Sequence, residues 1–217
     1  MGLPQTQSVY SVEEYLACER KAEERSEYLD GWIYLMAGES PAHGTICTNL
    51  TMLIADQLRG KPCQVWGKDM KVRSGSMPKS RYELKGLYSY PDVLVVCGEP
   101  QFHDNYRDVL LNPKVIIEVL SPSTEAYDRG EKFFRYRTFI PELTDYLVVS
   151  QTKPLIEHFA RQANGLWLMA SQNDPAGTLP LPSIACQLPL AAVYDRLDFP
   201  AEGLTGSLTA AETETAD

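Results

Sequence analysis

The chain has 217 residues, 44% of them hydrophobic and 23% charged, with a formal net charge of −9. Such a profile fits a water-soluble globular domain with one sizeable core, and its acidity weighs against the broad basic footprint usual in nucleic-acid binding. No apolar run approaches the roughly 20 residues that span a bilayer, and the N-terminus lacks the basic-then-apolar layout of a signal peptide, so neither a membrane span nor a secretory leader is expected.

The acid is unevenly spread. Glu202, Glu212, Glu214 and Asp217 fall after Ala201 with no cation among them. Residues 67–85 carry Lys68, Lys71, Arg73, Lys79, Arg81 and Lys85 against two acids, and residues 129–137 carry Arg129, Lys132, Arg135 and Arg137 against one. Segments of this kind are most often solvated faces, so the charge alone decides nothing.

In chain order, "MGLPQT" fits the loose pattern for N-myristoylation, with no basic patch beside it. Residues 10–25 read as an amphipathic helix opened by a capping box of Ser11 and Glu14. Asp30-Gly31 marks a turn and residues 32–36 a strand. "SPAHGTICTNLTMLIADQLRG" reads as a second helix, with Ile46, Leu50, Leu53, Ile54 and Leu58 on its apolar face and Gly60 as its stop. Strands are predicted over 63–73, 90–97 and 114–121, with a polar hairpin or loop near 74–87. A third helix is predicted over 129–139, with Asp128 and Glu131 at capping-box spacing and Pro141 as terminator. Strands recur at 145–150, 155–162 and 166–171, and a short closing segment lies within 183–199. The pattern predicts one α/β domain with a mixed sheet over residues 1–200. The small, polar, acidic tail over 201–217 reads as disordered.

The cysteines (Cys18, Cys47, Cys63, Cys97, Cys186) are odd in number and form no C-x-x-C pair. They read as reduced thiols in a cytoplasmic protein, not as a disulfide framework or a cysteine zinc site.

Two predicted strands hold a carboxylate where an apolar residue is expected: Asp92 in "YPDVLVV" and Glu118 in "VIIEVLS". An unpaired buried carboxylate costs several kcal/mol. If the strands are neighbours, the two side chains face each other, and either one takes a proton or a cation sits between them. An all-oxygen ligand set suits Mg²⁺ or Mn²⁺.

An aspartate after proline at a strand start, with a strand glutamate further on, resembles the PD-(D/E)xK nuclease superfamily. "SEYLDGWIYLMAGESPAHGTICTNL", "YPDVLVVCGEP", "LLNPKVIIEVLSPSTEAYDRGEKFFRYR" and "DYLVVSQTKPLIEHFAR", taken in order, resemble the Uma2 family of restriction-endonuclease-like proteins over about residues 10–199. The resemblance implies a restriction-endonuclease-like α/β fold with a central mixed sheet flanked by helices. It also implies a Mg²⁺- or Mn²⁺-dependent endonuclease acting on DNA. On this reading Asp92 and Glu118 are catalytic metal ligands and Glu27 is an early acidic ligand. Leu120 stands where the superfamily places its lysine, and Lys132 is the candidate substitute. His43, Arg129 and Arg135 are candidate substrate contacts, although a lone histidine there is more often a structural contact; a place near the site is open to Asp128 too, but N-capping explains it more cheaply. Phe133 and Phe134 read as core residues. A homodimer is expected by analogy with enzymes that cut both strands. A nuclease-fold binding or scaffold protein is the alternative, consistent with Leu120. A serine or cysteine hydrolase finds no G-x-S-x-G elbow or Cys/His pairing to support it.

Overall fold

In a computed structural model describing residues 9–75 and 85–199, two β-sheets share an apolar cluster between them, with further clusters under the helices at residues 12–19 and 41–57. The mixed α/β architecture expected from the sequence is borne out, with two principal sheets in place of one.

The elements are α1 (Val12–Glu19), β1 (Ser26–Leu29), β2 (Trp32–Leu35), α2 (Pro41–Gln57), β3 (Cys63–Gly67), β4 (Lys71–Ser74), β5 (Leu87–Ser89), β6 (Val93–Cys97), β7 (Val109–Leu110) and β8 (Val115–Leu120). Next come α3 (Glu125–Tyr127), a π-helical turn (Asp128–Lys132), α4 (Phe133–Phe139), β9 (Asp145–Ser150), β10 (Ile156–Arg161), β11 (Trp167–Gln172), β12 (Thr178–Leu181), β13 (Cys186–Pro189) and α5 (Leu190–Val193).

The larger sheet runs β11-β10-β9-β8-β6-β3, antiparallel throughout except for the parallel pair β8–β9. β8 lies inside it with all six residues buried. A strand sends alternate side chains to opposite faces. Val115, Ile117 and Val119 accordingly pack with Ile46, Leu50 and Ile54 of α2 and with Leu181 and Leu188 of the β12–β13 hairpin. Ile116 and Leu120 pack on the other face with Phe133 and Tyr136 of α4 and with Val72 and Leu87 of the second sheet. That second sheet runs β2-β1-β5-β4-β7, and α1 covers its outer side through Tyr15, Tyr28 and Tyr88.

Local signals explain much of this. Ser11 and Glu14 form the capping box of α1. Ser40 accepts the His43 N–H and Pro41 occupies the first turn of α2, where its missing N–H is harmless. Asp30 (φ 46°) and Gly31 (φ 97°) take the left-handed conformations of the turn joining β1 to β2.

Four readings change. Residues 63–73 are not one strand: the chain turns at Gly67–Met70, so β3 joins the six-stranded sheet and β4 the five-stranded one. Residues 26–29 form a strand that local pattern does not announce, and Glu27 therefore lies within β1, not before the first strand. The third helix begins at Glu125, and Asp128 keeps helical angles (φ −64°, ψ −42°), so it cannot be an N-cap. The fourth change concerns the cysteines. Cys63 and Cys97 form a disulfide because β3 and β6 pair in a register that sets them directly opposite, Cα atoms 4.0 Å apart. Cys18, Cys47 and Cys186 are free.

The N-terminal acylation pattern, the body of the 74–87 hairpin and the acidic tail fall at residues 1–8, 76–84 and 200–217, outside the described residues. β4 and β5 do pair on either side of the hairpin, Ser74 opposite Leu87. Among the described residues no helix is long and apolar enough to cross a membrane.

Candidate active site

Glu118 stands on β8 between Ile116 and Leu120, so its carboxylate enters the core between the sheets, where it is 3% exposed. Its Oε1 accepts the Tyr136 hydroxyl at 3.2 Å and lies 3.3 Å from Lys132 Nζ. Tyr136 O–H lies 2.7 Å from Ser89 Oγ on β5, which fixes the phenol between the two sheets. Lys132, 6% exposed, also lies 3.1 Å from Glu27 Oε1 and 3.1 Å from Asp128 Oδ1. Glu27 arrives from β1 of the other sheet, and its Oε1 accepts the Tyr90 N–H at 3.3 Å. Three carboxylates from three separate elements thus meet one ammonium.

The local cause is the π-helical turn. Asp128 and Lys132 are its first and last residues, and (i, i+4) side chains lie on one helix face. Helical π turns are rare and often mark functional sites. The Ser121–Thr124 turn feeds that helix: Ser121 O accepts the Thr124 and Glu125 N–H groups, and Ser121 Oγ lies 2.9 Å from Thr124 Oγ1.

Burial pushes the Glu118 carboxyl well above the usual range against the opposing pull of Lys132, and the charges of Asp128, Asp92 and Glu27 push the same way. Burial alone would lower Lys132, but Glu118, Glu27 and Asp128 together hold its ammonium well above the ordinary lysine value.

Asp92 immediately precedes the neighbouring strand β6. β6 pairs with β8 up to Val93 opposite Ile117. One residue beyond, Asp92 Oδ2 accepts the Val119 N–H at 2.7 Å, taking the place of the missing strand partner. Its Oδ1 lies 2.9 Å from His43 Nε2, in the first turn of α2. Burial would depress the His43 imidazole, yet Asp92, with Glu39 adding, leaves it above its usual value. Asp92 and Glu118 therefore flank the same end of β8, one served from α2 and the other from the helix on the opposite face.

Of the residues singled out in the sequence, Glu27, Glu118 and Lys132 share one cluster, and Asp92 and His43 form a pair beside it. Arg129 and Arg135 are engaged elsewhere. Arg129 pairs with Glu125 at 2.8 Å and with Glu157, and Arg135 with Glu131 and Asp30, each at 2.5 Å. Leu120 is core, so the superfamily lysine position faces apolar side chains. Phe133 is core as expected, whereas Phe134 is half exposed. Sequence reasoning notes Tyr136 only as an aromatic among the cations of 129–137, does not find the Tyr90 backbone, and prefers a cap for Asp128 over a place near the site. Asp128 carries a visible signal, its four-residue spacing from Lys132, but the capping-box pattern competes with it.

The Uma2 family model, described as "Putative restriction endonuclease", matches residues 12–192. "Uncharacterized protein slr1290" of Synechocystis sp. (strain ATCC 27184 / PCC 6803 / Kazusa) is 36% identical over 189 residues, covering 87% of this chain and 93% of the relative. "Uncharacterized protein sll1609" of the same organism is 34% identical over 164 residues, covering 76% and 88%. Among solved structures, "a putative nuclease belonging to DUF820" from Anabaena variabilis ATCC 29413 superposes with a TM-score of 0.67 at 15% identity, covering 85% of this chain and 97% of the other. That last likeness is one of fold.

Proposed function

The chain belongs to the Uma2 family, and we propose that it is a metal-dependent endonuclease hydrolysing phosphodiester bonds in DNA. The observation that carries this reading is the convergence of Glu27, Glu118 and Asp128 on Lys132, with Asp92 and His43 at the same end of β8. The donor set fits a hard divalent cation. It is all carboxylate oxygen, and acid outnumbers base three to one around Lys132. Asp128 Oδ1, although close to the ammonium, is buried and meets no donor in hydrogen-bonding geometry.

Asp92, Glu118 and Glu27 are the residues that would hold Mg²⁺ or Mn²⁺. When bound, the cation supplies Lewis-acid polarisation of a phosphoryl oxygen. Lys132 keeps a full positive charge inside the core, where it offsets negative charge gathering on the phosphate during attack. Asp92 orients the His43 ring through Nε2, so that the ring would hold or release a proton at its other nitrogen, Nδ1. Tyr136 fixes the rotamer of Glu118. Arg129 and Arg135 are the proposed phosphate contacts, and at each a backbone phosphate competes with two protein carboxylates.

A nuclease-fold protein that binds without cleaving is the second reading. The observation favouring it is that Lys132 already compensates much of the carboxylate charge without any other cation.

Plasmid nicking with Mg²⁺ and with EDTA separates the two. Cleavage in Mg²⁺, abolished by EDTA and reduced at least about a hundredfold in Asp92→Ala and Glu118→Gln, is the expected result. Calorimetric Mg²⁺ binding without nicking in the wild type would favour the second reading.

A further inference from the structure

On the α2 side of the larger sheet, His43 and Cys47 stand one turn apart on one face of the helix, and Glu39 precedes the N-cap Ser40. One ligand atom from each lies within 4.8 Å of the others. The Glu39 carboxylate lies over the first turn of the helix: a Cβ added at Gly44 would stand 3.7 Å from its carboxyl carbon. His43 Nε2 is 3.9 Å from Glu39 Oε2 and 2.9 Å from Asp92 Oδ1. Donors bound to zinc at about 2.0–2.3 Å in a tetrahedron stand roughly 3.3–3.8 Å apart, and these two separations bracket that spacing.

We propose that Glu39, His43 and Cys47, with Asp92 as fourth donor, form a site for a Zn²⁺-class cation, separate from the all-oxygen cluster around Lys132. The donor chemistry selects the ion. A thiolate and an imidazole favour borderline-soft cations, whereas Mg²⁺ prefers oxygen and keeps its waters. Binding forms S–Zn and N–Zn bonds and breaks the S–H bond of Cys47 and the Nε2–H bond of protonated His43; both protons leave to solvent, with no redox change. Lys68, ion-paired to Glu39, stays as an outer partner of the carboxylate. Because Asp92 is shared, occupation of this site withdraws a ligand from the neighbouring cluster, so zinc inhibits cleavage. This inhibitory arm rests on the nuclease reading, and the binding arm does not.

The test titrates Co²⁺, then Zn²⁺, into the full-length metal-free protein. The wild type is expected to take up one equivalent of Co²⁺ with thiolate charge-transfer absorption and tetrahedral d–d bands, and Zn²⁺ to displace it. Cys47→Ser should abolish the charge-transfer band and weaken Zn²⁺ binding at least about tenfold, while Cys18→Ser keeps both. Glu39→Gln, at an exposed position, should weaken binding yet keep the band, and it serves if Cys47→Ser fails to fold. A wild type without the band, or a band that survives Cys47→Ser, overturns the site. In the nicking assay, one equivalent of Zn²⁺ should slow the wild type at least about tenfold relative to its own zinc-free rate, and Cys47→Ser should escape this. Zinc binding without inhibition overturns the shared role of Asp92. Absence of nicking under all conditions, with the Co²⁺ band intact, sinks the nuclease reading alone.

Discussion

Lys132 stands 3.1–3.3 Å from three carboxylates that come from two sheets and its own helix. The arrangement explains how β8 tolerates Glu118 in an apolar run, since a buried charge survives when it is paired and hydrogen-bonded. Removing the cation should therefore be costly. Lys132→Met keeps an unbranched side chain one atom shorter and leaves Glu27, Glu118 and Asp128 without their counter-charge. Deleting one partner of a buried ion pair costs about 3–5 kcal/mol, and here the remaining charges also repel one another. Thermal melts should show a large loss of stability in EDTA. If these carboxylates gather a divalent cation, Mg²⁺ should restore the variant by more than it raises the wild type. Equal, small responses to Mg²⁺ in both proteins would show that the cluster serves Lys132 alone.

At the scale of elements, legibility in the sequence tracks what local chemistry determines. α1 and α2 are legible because Ser11, Glu14, Ser40 and Pro41 act within one turn of the backbone they cap. β8 and β6 are legible as apolar runs, and the acids within β8 and just before β6 point to the candidate site. The start of the helix after β8 is obscured because Asp128 and Glu131 mimic a capping box, while their side chains serve Lys132 and Arg135. β1 is four residues long and its role depends on pairing with β5, information that no local window contains. The Cys63–Cys97 bond is hidden for the same reason, since the register of β3 against β6 creates it. β3 is an edge strand, and the bond closes a segment with a sequence separation of 34 residues. A cross-link of that span stabilises by about 3–4 kcal/mol in the chain-entropy account. Reductant should lower the melting temperature of the wild type and leave a Cys63→Ser/Cys97→Ser variant unmoved; identical melts of the wild type with and without reductant would contradict it.

Across the whole molecule, the site is tied to the far end of α1 by a chain of polar contacts. Arg20, the residue that ends α1, holds Asp104 at 2.7 Å and Asp108 at 2.8 Å. Asp108 pairs with Lys71 at 3.0 Å, and Lys71 Nζ donates to Tyr90 O–H at 3.1 Å. Tyr90 in turn donates its hydroxyl to Glu19 and its N–H to Glu27, which borders Lys132. Acid should loosen this chain at Asp108. Partial burial would raise its carboxyl, but hydrogen bonds and charge from Arg20 and Lys71 outweigh that and hold it at about 2. A depressed carboxyl contributes stability that is fully present above its unfolded value of 3.8 and is lost as pH falls through about 2. Fully sheltered, such a shift would carry about 2 kcal/mol, and screening by solvent at this partly exposed site reduces it to about 1 kcal/mol. Asp108→Asn should therefore cost about 1 kcal/mol in urea unfolding at pH 7, and the gap from the wild type should close between about pH 4 and pH 2. Because Tyr90 also holds Glu27, the variant should, on the proposed metal-dependent reading, bind Mg²⁺ more weakly than the wild type at pH 7. A gap that persists unchanged at pH 2 would assign the cost of the substitution to lost packing instead of charge.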